Sequence, residues 1–328
     1  MSGSAAGWSD VPATEGPAPG TFSEDNPRYR IEARLGEGGM GEVYRAWDAW
    51  LQRHVALKRV HSRHRHDALR ERLLREARVT AQLDHPAIVP VLDVGDLPDG
   101  ALFYTMRLIE GRTLAETAPE QSEAQRLRHL RDAVRAVAHA HLHGIIHRDL
   151  KPDNIMVGQL GETSVVDWGL ARHEAQTDLP LPAGASSPRL TRVGDVLGTE
   201  SYMSPEASQG QASRASDVFA LGATMVEVLT GNKGGSVDAW RVHSDQIADP
   251  VLRAIVQRAL ADIGERYEDA RGLLDDLGAW VDNRPVGSYT YSPLEAVRLW
   301  AKRYRWPLRV AGAVAVTGIA VVALAGLC

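Results

Sequence analysis

The sequence predicts an α+β fold in two lobes, a β-rich N-lobe followed by a helical C-lobe, with a transmembrane helix at the C-terminal end. Three observations predict it. Strand-like apolar runs fill the chain from Tyr29 to Leu108, helical spacing dominates after Gly111, and the stretch after Val310 carries no charge. Strands first and helices after is the order expected of an α+β protein.

The elements follow in chain order. Residues 1–28 are rich in Ser, Ala, Gly, Pro and acids, bury little, and read as a disordered tail. Tyr29–Leu35, Gly41–Ala46 and Val55–Lys58 alternate as short strands. Leu69–Leu83 has helical spacing, and Ile88–Leu92 and Leu102–Leu108 return to strand character. Helices are predicted over Ser122–Leu142, Asp217–Leu229, Pro250–Leu260 and Tyr267–Val281. In the last of these Leu273, Leu274, Leu277 and Trp280 have core spacing and read as packing. One folded domain, 29–283, is expected, its lobes at 29–106 and 110–283.

Composition sets the outer limits. The chain has 328 residues, enough for one domain of about 250 residues plus appendages. With 44% hydrophobic and 24% charged residues it is ordinary for a globular protein, and a formal charge of -5 gives no reason to expect a nucleic-acid partner. A single cysteine, Cys328, excludes an internal disulfide framework and points to a reducing compartment for the folded part. The first 20 residues lack the charged start and apolar core of a signal peptide.

The end of the chain points to a membrane. Between Val310 and Cys328 there is no charged residue, and Thr317 alone is clearly polar. These ~19 residues, at ~1.5 Å each, make a rod of ~28 Å, about the thickness of a bilayer core. Arg298, Lys302, Arg303, Arg305 and Arg309 precede it, interleaved with Trp300, Tyr304 and Trp306. Basic residues favour the cytoplasmic side and Trp and Tyr the interface. We expect a basic juxtamembrane segment at 284–309 and a single span at 310–327 in the inner membrane, with lipid around it and the folded domain in the cytoplasm. The bland alternative is a buried helix of a soluble protein. Either the chain is tail-anchored or the sequence stops short of an external domain.

The motifs carry phosphoryl-transfer chemistry. Gly36-Glu37-Gly38-Gly39-Met40-Gly41-Glu42-Val43 is a glycine-rich loop between two strands, and glycines let backbone N–H groups approach phosphates. A dinucleotide fingerprint would open a helix, whereas Glu42–Ala46 continues as a strand; a plain glycine hairpin is the alternative. Lys58 ends an apolar strand, where an inward ammonium needs a partner. Glu76 on the following helix is the natural one, although Glu76 could instead meet Arg72 on a solvated face. His147-Arg148-Asp149-Leu150-Lys151-Pro152-Asp153-Asn154 places a carboxylate, an ammonium and a carboxamide in one short loop: a proton acceptor, a cation for the migrating group and a metal ligand. Asp167-Trp168-Gly169 puts a carboxylate at a strand end, suited to Mg²⁺.

On these residues, with Gly198-Thr199, Ser204-Pro205-Glu206, Asp217 and Arg266 following in order, residues 29–283 resemble a bacterial, eukaryotic-like (Hanks-type) transmembrane Ser/Thr protein kinase. The resemblance implies the bilobal protein kinase fold, ATP with Mg²⁺ or Mn²⁺, and Ser/Thr-bearing protein substrates, with a homodimer as the route to trans-autophosphorylation. It implies that Asp149 accepts the substrate proton, Lys151 stabilises the transferring group and steers specificity to Ser/Thr, and Asn154 and Asp167 hold the metal. ATP would be bound by Leu35, Gly36, Gly38, Gly41, Val43, Ala56, Lys58, Glu76, Met106, Arg107, Ile109 and Met156, with the hinge at Arg107–Ile109 and adenine among Val43, Ala56 and Met156. His147 and Trp168 would be internal packing residues, Glu206 would pair with Arg266, and Asp217 would anchor the catalytic loop. Arg148 would await a phosphate on the activation segment, for which Thr191 is the first candidate and Ser186 and Ser187 are weaker ones; Thr199 would contact Asp149 and Lys151.

Two features depart from the family. Trp168 stands where Phe is usual. The stretch Gly231–Pro250, where a longer loop and an extra helix are normal, offers Asn232-Lys233-Gly234-Gly235-Ser236 and little else, so substrate recognition is expected to be reduced or different. His61, His64 and His66 read as an exposed loop, and His139, His141 and His143 as lying on different helix faces, so neither set is expected to form a metal site. The competing functions are a pseudokinase scaffold, which loss of Lys58, Asp149, Asn154 or Asp167 would support, and a small-molecule kinase, which would not carry Lys151 together with Ser204-Pro205-Glu206.

Overall fold

The computed structural model describes residues 28–38, 41–60, 67–168, 171–173, 200–300 and 302–303. Thr191, Thr199, Ser186, Ser187, Gly169, Gly39, Met40, the His61–His66 stretch and Val310–Leu327 lie outside the described residues. The described residues divide into two units: one runs to Gln82 and takes in Val89–Glu110, the other takes in Leu83–Ile88 and the described residues from Gly111 onward.

The first unit is an antiparallel five-stranded sheet in the order β1-β2-β3-β5-β4, formed by β1 (Tyr29–Gly38), β2 (Gly41–Asp48), β3 (Arg53–Val60), β4 (Val91–Asp96) and β5 (Leu102–Arg107). Helix α1 (Asp67–Thr80) packs on it. Strand alternation sorts its side chains. Val55 and Leu57 join Tyr29, Ala46 and Phe103 in one cluster, while Val60 joins Leu73 and Ala77 of α1 with Leu102 and Tyr104 in another. Lys58, two residues from Val60, therefore shares the face that meets α1. Strand β4 begins later than the sequence suggests: Ile88 makes an isolated parallel bridge to Val165 instead.

The second unit is built on α3 (Glu123–Leu142), preceded by β6 (Gly111–Thr113) and the one-turn helix α2 (Leu114–Thr117). Ser122 opens α3 with a capping box: its Oγ accepts the Gln125 N–H, and the Gln125 side chain accepts the Ser122 N–H. After β7 (Ile145–Ile146), β8 (Ile155–Gly158), β9 (Thr163–Val165) and β10 (Arg172–His173) come α4 (Pro205–Ser208), α5 (Arg214–Thr230), α6 (Val237–Ser244), α7 (Pro250–Ala259) and α8 (Ala270–Val281). Every residue of α5 from Ala215 to Val228 is buried, so it is the axis against which α3, α7 and α8 pack. It starts before the predicted Asp217, because Ser213 and Ser216 cap it, and stops at Gly231, whose φ of 77° suits glycine.

Helix α6 corrects the reading of Gly231–Pro250 as little more than a short loop. Ser236 caps it, accepting the Ala239 N–H, and Trp240 is fully buried with its Nε1–H donated to Ser201 O at 2.5 Å. The mixed composition around a single tryptophan hid its helical period. The run of glycines serves the same indole, since a Cβ on Gly234 would stand 2.3 Å from the Trp240 ring.

Candidate active site

The sheet of the first unit gathers one group of predicted residues. Directly opposed pairs in the ladder are Val43 with Lys58, Ala56 with Met106 and Lys58 with Tyr104, so these five residues share one face. Lys58 Nζ donates to Glu76 Oε1 at 2.7 Å, and both residues are buried. Glu76 meets Lys58 because Lys58 faces α1, and the Arg72 alternative is not the arrangement found. The same Oε1 accepts the Tyr104 hydroxyl at 2.7 Å. Sequence reasoning missed Tyr104. Alternation alone gives its face, but its partner depends on where α1 docks.

The glycine-rich hairpin is described up to its tip. Gly38 pairs with Gly41, and Leu35 is exposed. A Cβ on Gly36 would meet nothing within 4 Å, whereas one on Gly41 would lie 2.0 Å from Arg59 O. Gly36 thus has room on its open side, and Gly41 is glycine because β3 passes close beneath it. Beyond β5, Arg107 is exposed and donates its N–H to Pro90 O at 3.4 Å; Leu108 and Ile109 are half-buried.

The second unit gathers the rest. Residues Ile145–Ile146 run into the loop that carries His147–Lys151, and Pro152–Asn154 closes it as one tight turn. Asn154 Nδ2 donates to the backbone O of Asp149 at 2.6 Å and to its Oδ2 at 2.9 Å. That commitment leaves Oδ1 of Asn154 as its acceptor oxygen. Lys151 Nζ lies 3.3 Å from Asp149 Oδ2. The three chemically distinct groups of the loop therefore meet at one carboxylate.

Underneath, buried polar groups fix this loop. His147 Nδ1 accepts the Asp149 N–H at 3.2 Å, so its Nε2–H is the donor to Val166 O at 3.2 Å. Its ring lies 4.5 Å from that of Trp168, whose Nε1–H donates to Val165 O. Asp217 Oδ2 accepts the His147 N–H at 2.7 Å and Oδ1 the Arg148 N–H at 2.8 Å. His141 adds a third donor, from Nε2 at 3.0 Å, while its Nδ1 accepts the Ala270 N–H. Burial would raise the Asp217 carboxyl, but the hydrogen bond from His141, the nearby imidazoles and the Arg148 amide outweigh it and hold it below the usual range. His141 thus has a clear place on the buried side of α3, which its spacing with His139 and His143 concealed. Those two do meet, rings 4.5 Å apart, His139 in the last turn of α3 and His143 at its C-cap, with His85 5.3 Å from His139.

Asp167 is exposed and takes φ of 60°, a left-handed conformation that an aspartate tolerates. Met156 is half-buried on β8. Glu206 accepts Arg266 Nη1 at 2.6 Å and the Ser216 hydroxyl at 3.1 Å. Burial would raise the Glu206 carboxyl, and the bond from Arg266 reverses the shift. Among the described residues no cluster of three or more His, Cys, Asp or Glu side chains is arranged to hold a metal. The donors that would serve Mg²⁺ are the Asn154 carboxamide oxygen and the Asp167 carboxylate, hard oxygens that suit it.

The family model described as the protein kinase domain matches residues 29–271. The chain is 41% identical over 294 residues to the DNA damage-responsive serine/threonine-protein kinase RqkA of Deinococcus radiodurans, covering 87% of this chain and 41% of that one. It is 33% identical over 296 residues to the serine/threonine-protein kinase PknD of Protochlamydia amoebophila, covering 78% of this chain and 30% of that one. The chain therefore spans well under half the length of these curated relatives. The fold is similar to that of the PknI kinase domain of Mycobacterium tuberculosis, with a TM-score of 0.56 at 23% identity, covering 77% of this chain and 96% of that one.

Proposed function

The chain belongs to the protein kinase family, and from that premise we propose that it transfers the γ-phosphoryl group of ATP to Ser and Thr hydroxyls, on itself and on other proteins, at the inner face of a membrane. The observation that carries the transfer is the meeting of Lys151 and Asn154 at the Asp149 carboxylate. Asp149 accepts the proton of the attacking hydroxyl at its carboxylate, and Lys151 balances charge on the migrating group. Lys58, held by Glu76, presents an ammonium to the ATP phosphates. A divalent metal, Mg²⁺ or Mn²⁺, held by Asn154 and Asp167, neutralises phosphate charge when bound. On the first unit Val43, Ala56 and Met106, with backbone groups of Arg107 and Ile109, receive the nucleoside, and Leu35, Gly36, Gly38 and Gly41 cover the phosphates.

The membrane rests on sequence: Val310–Leu327 is uncharged and follows a basic, aromatic segment. Among the described residues no helix is long and apolar enough to cross a membrane. Activation by phosphate on Thr191, read by Arg148, and trans-autophosphorylation within a homodimer complete the reading. The full chain in detergent, given Mg²⁺ and γ-labelled ATP, is expected to label itself, and Asp149→Asn is expected not to. If neither the wild type nor Thr191→Glu becomes labelled, a kinase-fold scaffold takes the place of an enzyme.

A further inference from the structure

Beyond α8 the chain turns through residues fastened to the second unit. Val286 is buried, Gly287 N–H donates to Asp276 Oδ1, and Tyr267 OH bonds both Asp276 and Ser288. A new helix then runs over 293–300, and 302–303 are helical too. A capping box starts it: Ser292 Oγ accepts the Glu295 N–H, and Glu295 Oε2 accepts the Ser292 N–H. Glu295 Oε1 also accepts the Tyr289 hydroxyl at 2.9 Å, tying the first turn down.

The faces of this helix are unequal. Glu295 and Leu299, one turn apart, are half-buried on the side toward the body. Leu294, Val297 and Trp300, at three-residue spacing, are 60%, 62% and 55% exposed. At ~100° per residue they form one outward stripe. Arg298, Lys302 and Arg303 are exposed along the same segment, and no Asp or Glu occurs between Glu295 and the end of the sequence. An apolar stripe beside basic side chains is the pattern of a helix lying in a membrane interface.

We infer that the helix over 293–300 is interfacial: it beds Leu294, Val297 and Trp300 into an anionic lipid surface while its other side stays on the protein body. The charge favours lipid over a second copy of the chain. Pairing of two such stripes would gather Arg298, Lys302 and Arg303 of both copies against only the Glu295 carboxylate of each, leaving an excess of positive charge. The proposal deepens the membrane reading above. If Val310 begins a span, the seven peptide links from Arg303 reach at most ~25 Å, so this helix stays beside the bilayer. Its consequence is orientation: the body is fixed against the surface, not swinging on a tether.

The test uses the full chain with Cys328→Ser and single cysteines at 294, 297 and the exposed Leu160, each carrying an environment-sensitive fluorophore. The protein is reconstituted in vesicles of phosphatidylglycerol and phosphatidylcholine, or of phosphatidylcholine alone. Brominated lipid is expected to quench 294 and 297 at least about twofold more than 160 in anionic vesicles. The difference should shrink in phosphatidylcholine, and in ~1 M salt, where the screening length is ~3 Å. Equal quenching at all three positions overturns the proposal. So does a blue shift at 294 and 297 in lipid-free detergent that grows with protein concentration, since a second copy would then cover the stripe. Wild-type Cys328 reports separately on the span. If an impermeant thiol reagent outside the vesicles labels Cys328 in molecules whose body also faces outside, the span fails, and quenching at 294 and 297 still decides the helix.

Discussion

Asp217 accepts the backbone N–H of Arg148 at 2.8 Å while Arg148 holds a φ of 73°, so a buried carboxylate on α5 fixes a left-handed residue immediately before Asp149. For a residue with a Cβ this conformation costs roughly 1–2 kcal/mol. The same carboxylate satisfies the His147 amide and His141. Asp217→Ala would leave three donors unsatisfied at ~1–3 kcal/mol each. We expect a loss of at least ~3 kcal/mol in urea unfolding and a larger fall in kcat than in ATP affinity. A variant within ~1 kcal/mol of wild type would show that Asp217 does not hold the loop.

The strain itself can be measured at Arg148. Both Arg148→Gly and Arg148→Ala remove the guanidinium, but only glycine takes a φ of 73° without a Cβ clash. Arg148→Gly is expected to be more stable than Arg148→Ala by ~1 kcal/mol. An alanine variant as stable as the glycine one would refute the strain.

The buried triad on the first unit gives a graded expectation. Glu76 Oε1 accepts both Lys58 and Tyr104, and a hydrogen bond to a charged group contributes ~1.5–3 kcal/mol. Tyr104→Phe keeps the ion pair, so phosphotransfer should fall by about tenfold or less with the fold intact. Glu76→Gln weakens the pairing of Lys58 directly and should cost more. Radiolabel incorporation at saturating and limiting ATP ranks the two, and the reverse ranking contradicts the geometry.

These residues also show what the sequence could reveal. Lys58, Glu76, Asp149, Asn154 and Asp217 were legible because their chemistry is unusual where it stands: a charge in an apolar strand, a carboxamide near a carboxylate. Tyr104 and His141 were not, because an aromatic in a strand and a histidine in a helix fit a core equally well. Their roles depend on which element docks opposite them. The helix at Val237–Ser244 was lost for another reason. It is short, with mixed composition, and one tryptophan and one cap hold it. The exposed stripe of Leu294, Val297 and Trp300 was hidden by its basic neighbours, which read as charge before they read as periodicity.

The Trp240 site predicts a steric penalty. The Trp240 ring leaves no room for a Cβ on Gly234, and the indole is fully buried beside Tyr202, whose hydroxyl donates to Glu227. Gly234→Ala must displace a packed ring and should cost ~1–3 kcal/mol. Gly235→Ala, with nothing within 4 Å of its Cβ, is the matched control and should change stability little. Urea midpoints of the two variants decide it, and equal midpoints would rule out the packing account.

Stability should also fall in mild acid, through histidines. His85, His129 and His139 are all held below the ordinary histidine value, burial being the first cause in each. His139 faces His143 and His85, and Arg135 adds positive charge near His85; Asp132 and Asp84 oppose this only in part. A folded value below the unfolded ~6.5 means the unfolded chain takes up protons first. The contribution of these rings is therefore complete above pH ~6.5 and is lost as pH falls through their lowered folded values. The carboxylates Asp217, Glu206 and Asp48 are held low in the folded state, and their contribution is lost only in a second, more acidic fall, below about pH 4. Melting temperatures measured from pH 8 to pH 5 should decline steadily below ~6.5, and His85→Gln/His139→Gln should decline less. A double variant with the wild-type slope would remove this cluster as the cause.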